Sequence, residues 1–206
     1  MKPPALGVVI LGAGASSRMG KPKLLLPWED TSIIGHIIRQ WQTLGAKQIA
    51  VVHRPNDARL IVELARLKFP AAHRIENPQP ERGMFSSIVC AANWNGWQRG
   101  LNAWAIVLGD QPHLTPETLG KLLAFQRDHA DSICQPVFDG HGRHPVLLPR
   151  RAFDEVKQAH VDTLNDFLKQ TTVPLAKCPM DDAGLALDLD TPEDYQRSKN
   201  LPSTRD

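Results

Sequence analysis

Residues 12–23 read GAGASSRMGKPK, a stretch that sets three glycines, two serines, one arginine and two lysines directly after an apolar run. Glycines let backbone N–H groups approach phosphate oxygens, and serine hydroxyls add donors. Arg18, Lys21 and Lys23 put three cations within six residues. That inventory suits a triphosphate. Spacing excludes two common phosphate cradles. The dinucleotide fingerprint G-x-G-x-x-G starts correctly at Gly12 and Gly14 but meets Ser17 in place of its third glycine. The next apolar run also ends in Val52-His53 rather than in a ribose-binding acid. The P-loop pattern G-x-x-x-x-G-K-[ST], counted back from Gly20-Lys21, puts Ala15 at its first glycine and Pro22 at its magnesium-binding hydroxyl.

The elements that must position this loop follow from patterning. Apolar runs rich in Val and Ile alternate with amphipathic stretches, as where helices connect the strands of a mostly parallel sheet, so the expected class is α/β. Strands are expected at Leu6–Leu11, Gln48–His53, His73–Ile75, Ala103–Leu108, Ser132–Phe138, Pro145–Leu148 and Val173–Cys178. Helices are expected at Thr31–Leu44, closed by Gly45, and at Asp57–Lys68, Met84–Trp94 and Thr115 to His129. Shorter ones should lie at Arg151–Lys157, Asp162–Lys169 and from Thr191 onward. A loop leaving the first strand lies where open α/β sheets bind ligands, and Asp110, directly after the strand AWAIVLG, leaves the same edge.

The 206 residues suffice for one domain, 1–206, with its own core; no repeat, low-complexity tract or linker suggests a second. Lys and Arg number 24 against 22 Asp and Glu, so no overall field favours nucleic acid or an anionic membrane as a partner. Cys90, Cys134 and Cys178 are odd in number and widely spaced, which disfavours disulfides and zinc and suits a reducing, cytoplasmic setting. No run resembles a signal peptide or a membrane span. Trp28, Trp41, Trp94, Trp97 and Trp104 are scattered rather than interleaved with basic residues, and read as packing.

The run from Leu11 onward resembles the nucleotidyltransferase signature L-x-x-G-x-S-x-R-M-G-x-x-K. Leu11, Gly14, Ser16, Arg18, Met19, Gly20 and Lys23 match it, and LLLPW follows. The resemblance is to the molybdenum cofactor cytidylyltransferases (MobA/MocA-like) and extends over nearly the whole chain. It implies a Rossmann-like, three-layer α/β/α fold of the nucleotide-diphospho-sugar transferase kind. It further implies that Leu11, Gly12, Ala13, Gly14, Ser16 and Ser17 wrap the nucleotide while Arg18 and Lys23 hold its phosphates. Attack on the α-phosphorus expels pyrophosphate, and fixed cations stabilise the charge that develops. Lys21 lies outside the signature and reads as a solvated lysine.

Such a reaction needs Mg2+, a hard cation with few protein ligands. The resemblance assigns these to Asp110, in Asp110-Gln111-Pro112, and to Asp190, in LALDLDTPEDY. Asp188 and Asp194 read as caps or surface charges around the helix start at Thr191-Pro192. In NPQPERGMFSSI, the family pattern N-P-x-x-x-x-G-x-x-x-S assigns Asn77, Gly83 and Ser87 to base and ribose. Ala13 stands where the GTP-using relatives have glycine and leans towards CTP, and Gly12 departs from the usual alanine and loosens the loop. VFDGHGRHPVLL resembles the acceptor-facing segment G-x-x-G-H-P-V-L, with Arg143 in place of the glycine before His144; the pair could clasp an acceptor phosphate. The implied partners are therefore CTP and a phosphate-bearing acceptor, molybdopterin, with transient docking to a molybdoenzyme. Three alternatives stand beside this: guanylyl transfer, transfer to a sugar or polyol phosphate, and a non-catalytic nucleotide-binding regulator or chaperone.

Overall fold

A computed structural model describes residues 5–14 and 19–200 of the chain. In chain order the elements are β1 (Leu6–Leu11), β2 (Pro27–Trp28), β3 (Thr31–Ser32), α1 (Ile33–Thr43), β4 (Gln48–His53) and α2 (Ala58–Arg66). Then come β5 (Arg74–Glu76), α3 (Met84–Asn93), β6 (Ala103–Leu108), α4 (Pro116–Asp128), β7 (Ile133–Phe138) and β8 (His141–Gly142). The last third holds β9 (Val146–Pro149), α5 (Arg150–Val156), α6 (Leu164–Gln170), β10 (Leu175–Pro179) and α7 (Pro192–Lys199).

The main sheet runs β10-β7-β9-β6-β1-β4-β5, with β8 paired to β7, while β2 and β3 form a separate antiparallel pair. All its pairings are parallel except those made by β9 and β8, so the mostly parallel sheet is as expected. Strand alternation sends successive side chains to opposite faces. Leu6, Val8 and Ile10 join Ile33, Ile37, Trp41, Leu64, Leu119 and Leu122 in one core, under α1, α2 and α4. Val9, Val52 and Ile106 join Phe85, Ile88, Phe153 and Phe167 in the other, under α3, α5 and α6. Three layers result. β4 follows β1 on one side while β6 returns on the other, so the strand order reverses beside β1, which opens a crevice at the carboxyl ends of β1 and β6.

Most expected boundaries move by one or two residues, for local reasons. Ser32 accepts from the Gly35 N–H at 3.2 Å and so caps α1, which begins at Ile33, two residues after Thr31. The β2–β3 pair escaped the sequence because its turn puts Glu29 at φ 50 with no glycine to announce it. The expected third strand shifts to Arg74–Glu76, since Ala71–His73 forms a 3-10 turn first. Trp104 stacks on Phe153 with centroids 4.3 Å apart and Trp94 meets Trp97 edge-on at 5.0 Å, so these aromatics pack as expected. Cys90, Cys134 and Cys178 are free, and burial pushes the Cys134 thiol up to about 12. Among the described residues no helix is long and apolar enough to cross a membrane.

Candidate active site

Leu11 and Leu108 are register partners at the ends of β1 and β6, so the glycine loop and Gly109-Asp110 leave the sheet side by side. The two exits touch. Gly109 donates to the Leu11 carbonyl at 3.2 Å, and a Cβ there would lie 2.8 Å from that oxygen, so the approach requires glycine. Gly12 donates to the Val52 carbonyl at 2.8 Å, and a Cβ on it would come within 3.0 Å of both that oxygen and Leu24. The glycine that departs from the family's alanine therefore tightens the loop against β4 instead of loosening it. A Cβ on Gly14 would meet no atom of the described residues within 4 Å.

A cleft of about 290 Å³ opens here, and it is lined by most of the nucleotide-site residues expected from the sequence: Leu11, Gly12, Ala13, Gly14, Gly83 and Ser87. Lys23 and Asp110 reach it as well. Ser16, Ser17 and Arg18 lie outside the described residues. Asn77 does not line the cleft. It is 1% exposed, and its amide donates to Ser86 Oγ at 2.8 Å and to Ser87 Oγ at 3.0 Å while its own oxygen accepts from the Gln79 N–H. That is a correction to its expected contact with the base: its polar atoms are consumed in shaping the turn. Ser87 lines the cleft with its hydroxyl oxygen held by the Asn77 amide.

Lys23 unites the acids. Its Nζ donates to Asp110 Oδ2 at 2.9 Å and to Asp190 Oδ1 at 3.0 Å, joining residues 87 and 167 positions away. Burial alone would lower the lysine pKa, yet the Asp110 and Asp190 carboxylates outweigh it and raise the value above 10.5. Two carboxylates already share one cation, so the donor set is hard, anionic and convergent. It fits a divalent ion that completes its sphere with phosphate oxygens and water. The expected phosphate ligand Lys23 is thus the counter-ion of the expected metal ligands.

A third carboxylate stands beside them. Leu189 is 0% exposed, and the Asp190 N–H donates back to the Asp188 carbonyl at 3.0 Å, a tight γ-turn centred on Leu189. Burial first, then Asp110 and Asp190, push the Asp188 carboxyl above its usual range, while a 3.0 Å hydrogen bond from the Gln111 amide pulls back. Asp188 is exposed overall, in keeping with its reading as a surface charge, with its carboxyl held against the Gln111 amide next to Asp110 and Asp190. Asp194 is the capping-box partner of Thr191, as expected.

On the acceptor side, His144 Nδ1 donates to the Ile106 carbonyl at 3.3 Å, and burial lowers its pKa, so the imidazole faces inward and is neutral. It offers no positive charge, contrary to its expected share in clasping a phosphate. Arg143 is half-buried, and its Nε has no partner among the described residues. Lys21 is exposed, but it borders a second cleft of about 370 Å³ behind the glycine loop, together with Arg54 and Asp57.

Known proteins resemble this chain in sequence and in fold. Residues 8–175 match the family described as the MobA-like NTP transferase domain. The chain is 26% identical over 197 residues to the molybdenum cofactor cytidylyltransferase of Escherichia coli (strain K12), spanning 95% of this chain and 96% of that one. It is 27% identical over 209 residues to the purine catabolism protein PucB of Bacillus subtilis (strain 168), spanning 98% and 100%. The crystal structure of Rv0371c from Mycobacterium tuberculosis H37Rv has a TM-score of 0.73 at 25% identity over 96% of this chain and 98% of that one. A manganese complex of Rv0371C gives 0.69 at 22% identity, over 96% and 99%.

Proposed function

The chain belongs to the MobA-like NTP transferase domain family and is a nucleotidyltransferase, and we propose that it transfers CMP from CTP to the phosphate of molybdopterin, releasing pyrophosphate with the help of Mg2+. The observation that carries this reading is the convergence of Lys23, Asp110 and Asp190 at the crevice between β1 and β6. Simple nucleotide binding does not call for two carboxylates on a phosphate site. The manganese bound by the Mycobacterium tuberculosis relative supports a divalent ion here.

In this reading the glycine-loop N–H groups and Ser87 hold the nucleotide in the cleft, with Ala13 limiting the room beside the base. Asp110 and Asp190 hold the ion, which when bound neutralises charge on the α-phosphate and the departing pyrophosphate. Lys23 then exchanges its carboxylate partners for phosphate oxygens. An oxygen of the acceptor phosphate attacks the α-phosphorus and the bond to the β-phosphate breaks. That oxygen is already ionised near neutral pH, so no side chain needs to act as base or nucleophile. Arg143 is the acceptor-side cation, and the reaction takes place in the cytoplasm within this one domain.

Arg143 also supports a second reading, because the guanylyl branch tends to keep an arginine near its His-Pro. The test incubates the protein with Mg2+, molybdenum cofactor and either CTP or GTP, and measures pyrophosphate. Turnover should favour CTP. Equal or faster turnover with GTP would overturn the cytidylyl assignment, a preference for sugar or polyol phosphates would overturn the acceptor, and none with any nucleotide would leave a binding module.

A further inference from the structure

Asp190 lies 80 positions beyond Asp110 on a segment outside the sheet, and something must hold the two carboxylates in one place. Beside the shared Lys23, the bonds that do so come from the turn at Asp110 and the start of α4. The Leu189 N–H donates to the Asp110 carbonyl at 3.3 Å. The Gln111 amide donates to Asp188 Oδ1 at 3.0 Å, and Gln111 is 5% exposed. His113 Nε2 donates to the Gly184 carbonyl at 2.9 Å, because a carbonyl can only accept. Thr118 Oγ1 donates to Asp182. The segment from Asp182 to Asp190 is thereby laid along residues 110–118, and one rigid unit carries both acids.

We propose that Gln111, seconded by His113, is a positioning residue of this enzyme: through Asp188 and Gly184 it fixes the distance between Asp110 and Asp190 at which a divalent ion is bound. This rests on the metal-site reading above. An uncharged amide suits the role. Glutamine reaches the Asp188 oxygen with one donated N–H and brings no positive charge of its own beside Asp110 and Asp190, where a cation would repel the ion. The remaining polar atoms point to a dedicated role. Gln111 Oε1 and His113 Nδ1 are buried without partners among the described residues, so each side chain is committed to its single bond to the acid segment. Partners that orient metal ligands in this way are worth tenfold or more in metal affinity.

The experiment titrates the nucleotide-free full chain with MnCl2 by calorimetry and records thermal unfolding in parallel. Gln111→Met, which keeps the volume and removes the donor, should weaken manganese binding about tenfold while shifting the unfolding midpoint by only about two degrees. In turnover assays the same variant should raise the metal concentration required and leave KM for the nucleotide within twofold. Asp188→Asn still offers an oxygen to the Gln111 amide and should stay within about threefold of wild type. Unchanged manganese affinity in Gln111→Met would overturn the proposal. So would a loss in Asp188→Asn as large as in Asp190→Asn, which would make Asp188 a ligand in its own right. A wild-type chain that binds no manganese would overturn the metal-site reading itself, and this inference with it.

Discussion

At the carboxyl edge of the sheet, Lys23, Asp110 and Asp190 are drawn together from positions 87 and 167 residues apart; at the opposite edge the ion pairs close within a single turn of helix. There a cleft of about 880 Å³ is lined by Gln126, Arg150, Arg151, Asp154 and Glu155. Lys157 pairs with Asp154 one turn away at 2.6 Å, Arg151 with Glu155 at 3.5 Å, and the Arg150 guanidinium lies over the Trp104 ring. Pairs of the second kind sit on exposed helix surface and are worth little. Pairs of the first kind are partly withdrawn from water, and removing one partner leaves the other uncompensated. Size and charge are therefore poor guides to function in this molecule. Sequence distance between partly buried partners is the better one.

The strongest way to break this contrast is Asp110→Ala. Pyrophosphate release should fall on the order of 10³-fold, with circular dichroism unchanged. Full activity would remove Asp110 from the site. Next comes Lys23→Met, which leaves Asp110 and Asp190 facing each other. In metal-free buffer it should cost about 1–3 kcal/mol in denaturant unfolding, and divalent ions should restore much of it. The wild-type contribution has a defined pH window. Because the folded-state lysine pKa is raised, the stabilisation is complete below 10.5 and disappears as pH climbs through the higher folded value. A Lys23→Met chain should therefore lack that alkaline decline.

The third prediction concerns acid. Burial lowers the pKa of His144, so the unfolded chain binds the proton better and stability falls as pH drops below 6.5 towards the folded value. His144→Gln should flatten part of this acid limb, leaving the share of His113 and His36, whose pKa values burial also lowers. An unchanged limb would mean that His144 is protonated in the folded state. The smallest effect belongs to the far edge: Lys157→Ala should change stability by less than about 0.5 kcal/mol and activity not at all.

The legibility of the sequence followed the same division. β1, β4 and β6 were read to the residue because buried strands show as continuous apolar runs bounded by turns. The glycine loop and Asp110 were legible because each leaves such a strand directly. What depended on distant partners was less so. Asn77 fits its motif, yet its burial behind Ser86 and Ser87 shows only in three dimensions. His144 sits beside Arg143 in a promising loop, but the Ile106 carbonyl that turns it inward belongs to β6. Sequence alone assigns Gln111 and His113 no role of their own because their partners, Asp188 and Gly184, lie more than 70 positions on. The β2–β3 turn was missed for the opposite reason, a strained Glu29 where a glycine would have been read.

The account stands or falls on whether the long-range acid cluster is the catalytic one, and one paired measurement decides it. Pyrophosphate release is compared for wild type, Asp190→Asn and Asp154→Asn at saturating nucleotide and Mg2+. The account predicts a loss on the order of 10²-fold or more for Asp190→Asn and wild-type turnover for Asp154→Asn. Turnover within twofold of wild type in Asp190→Asn would contradict it.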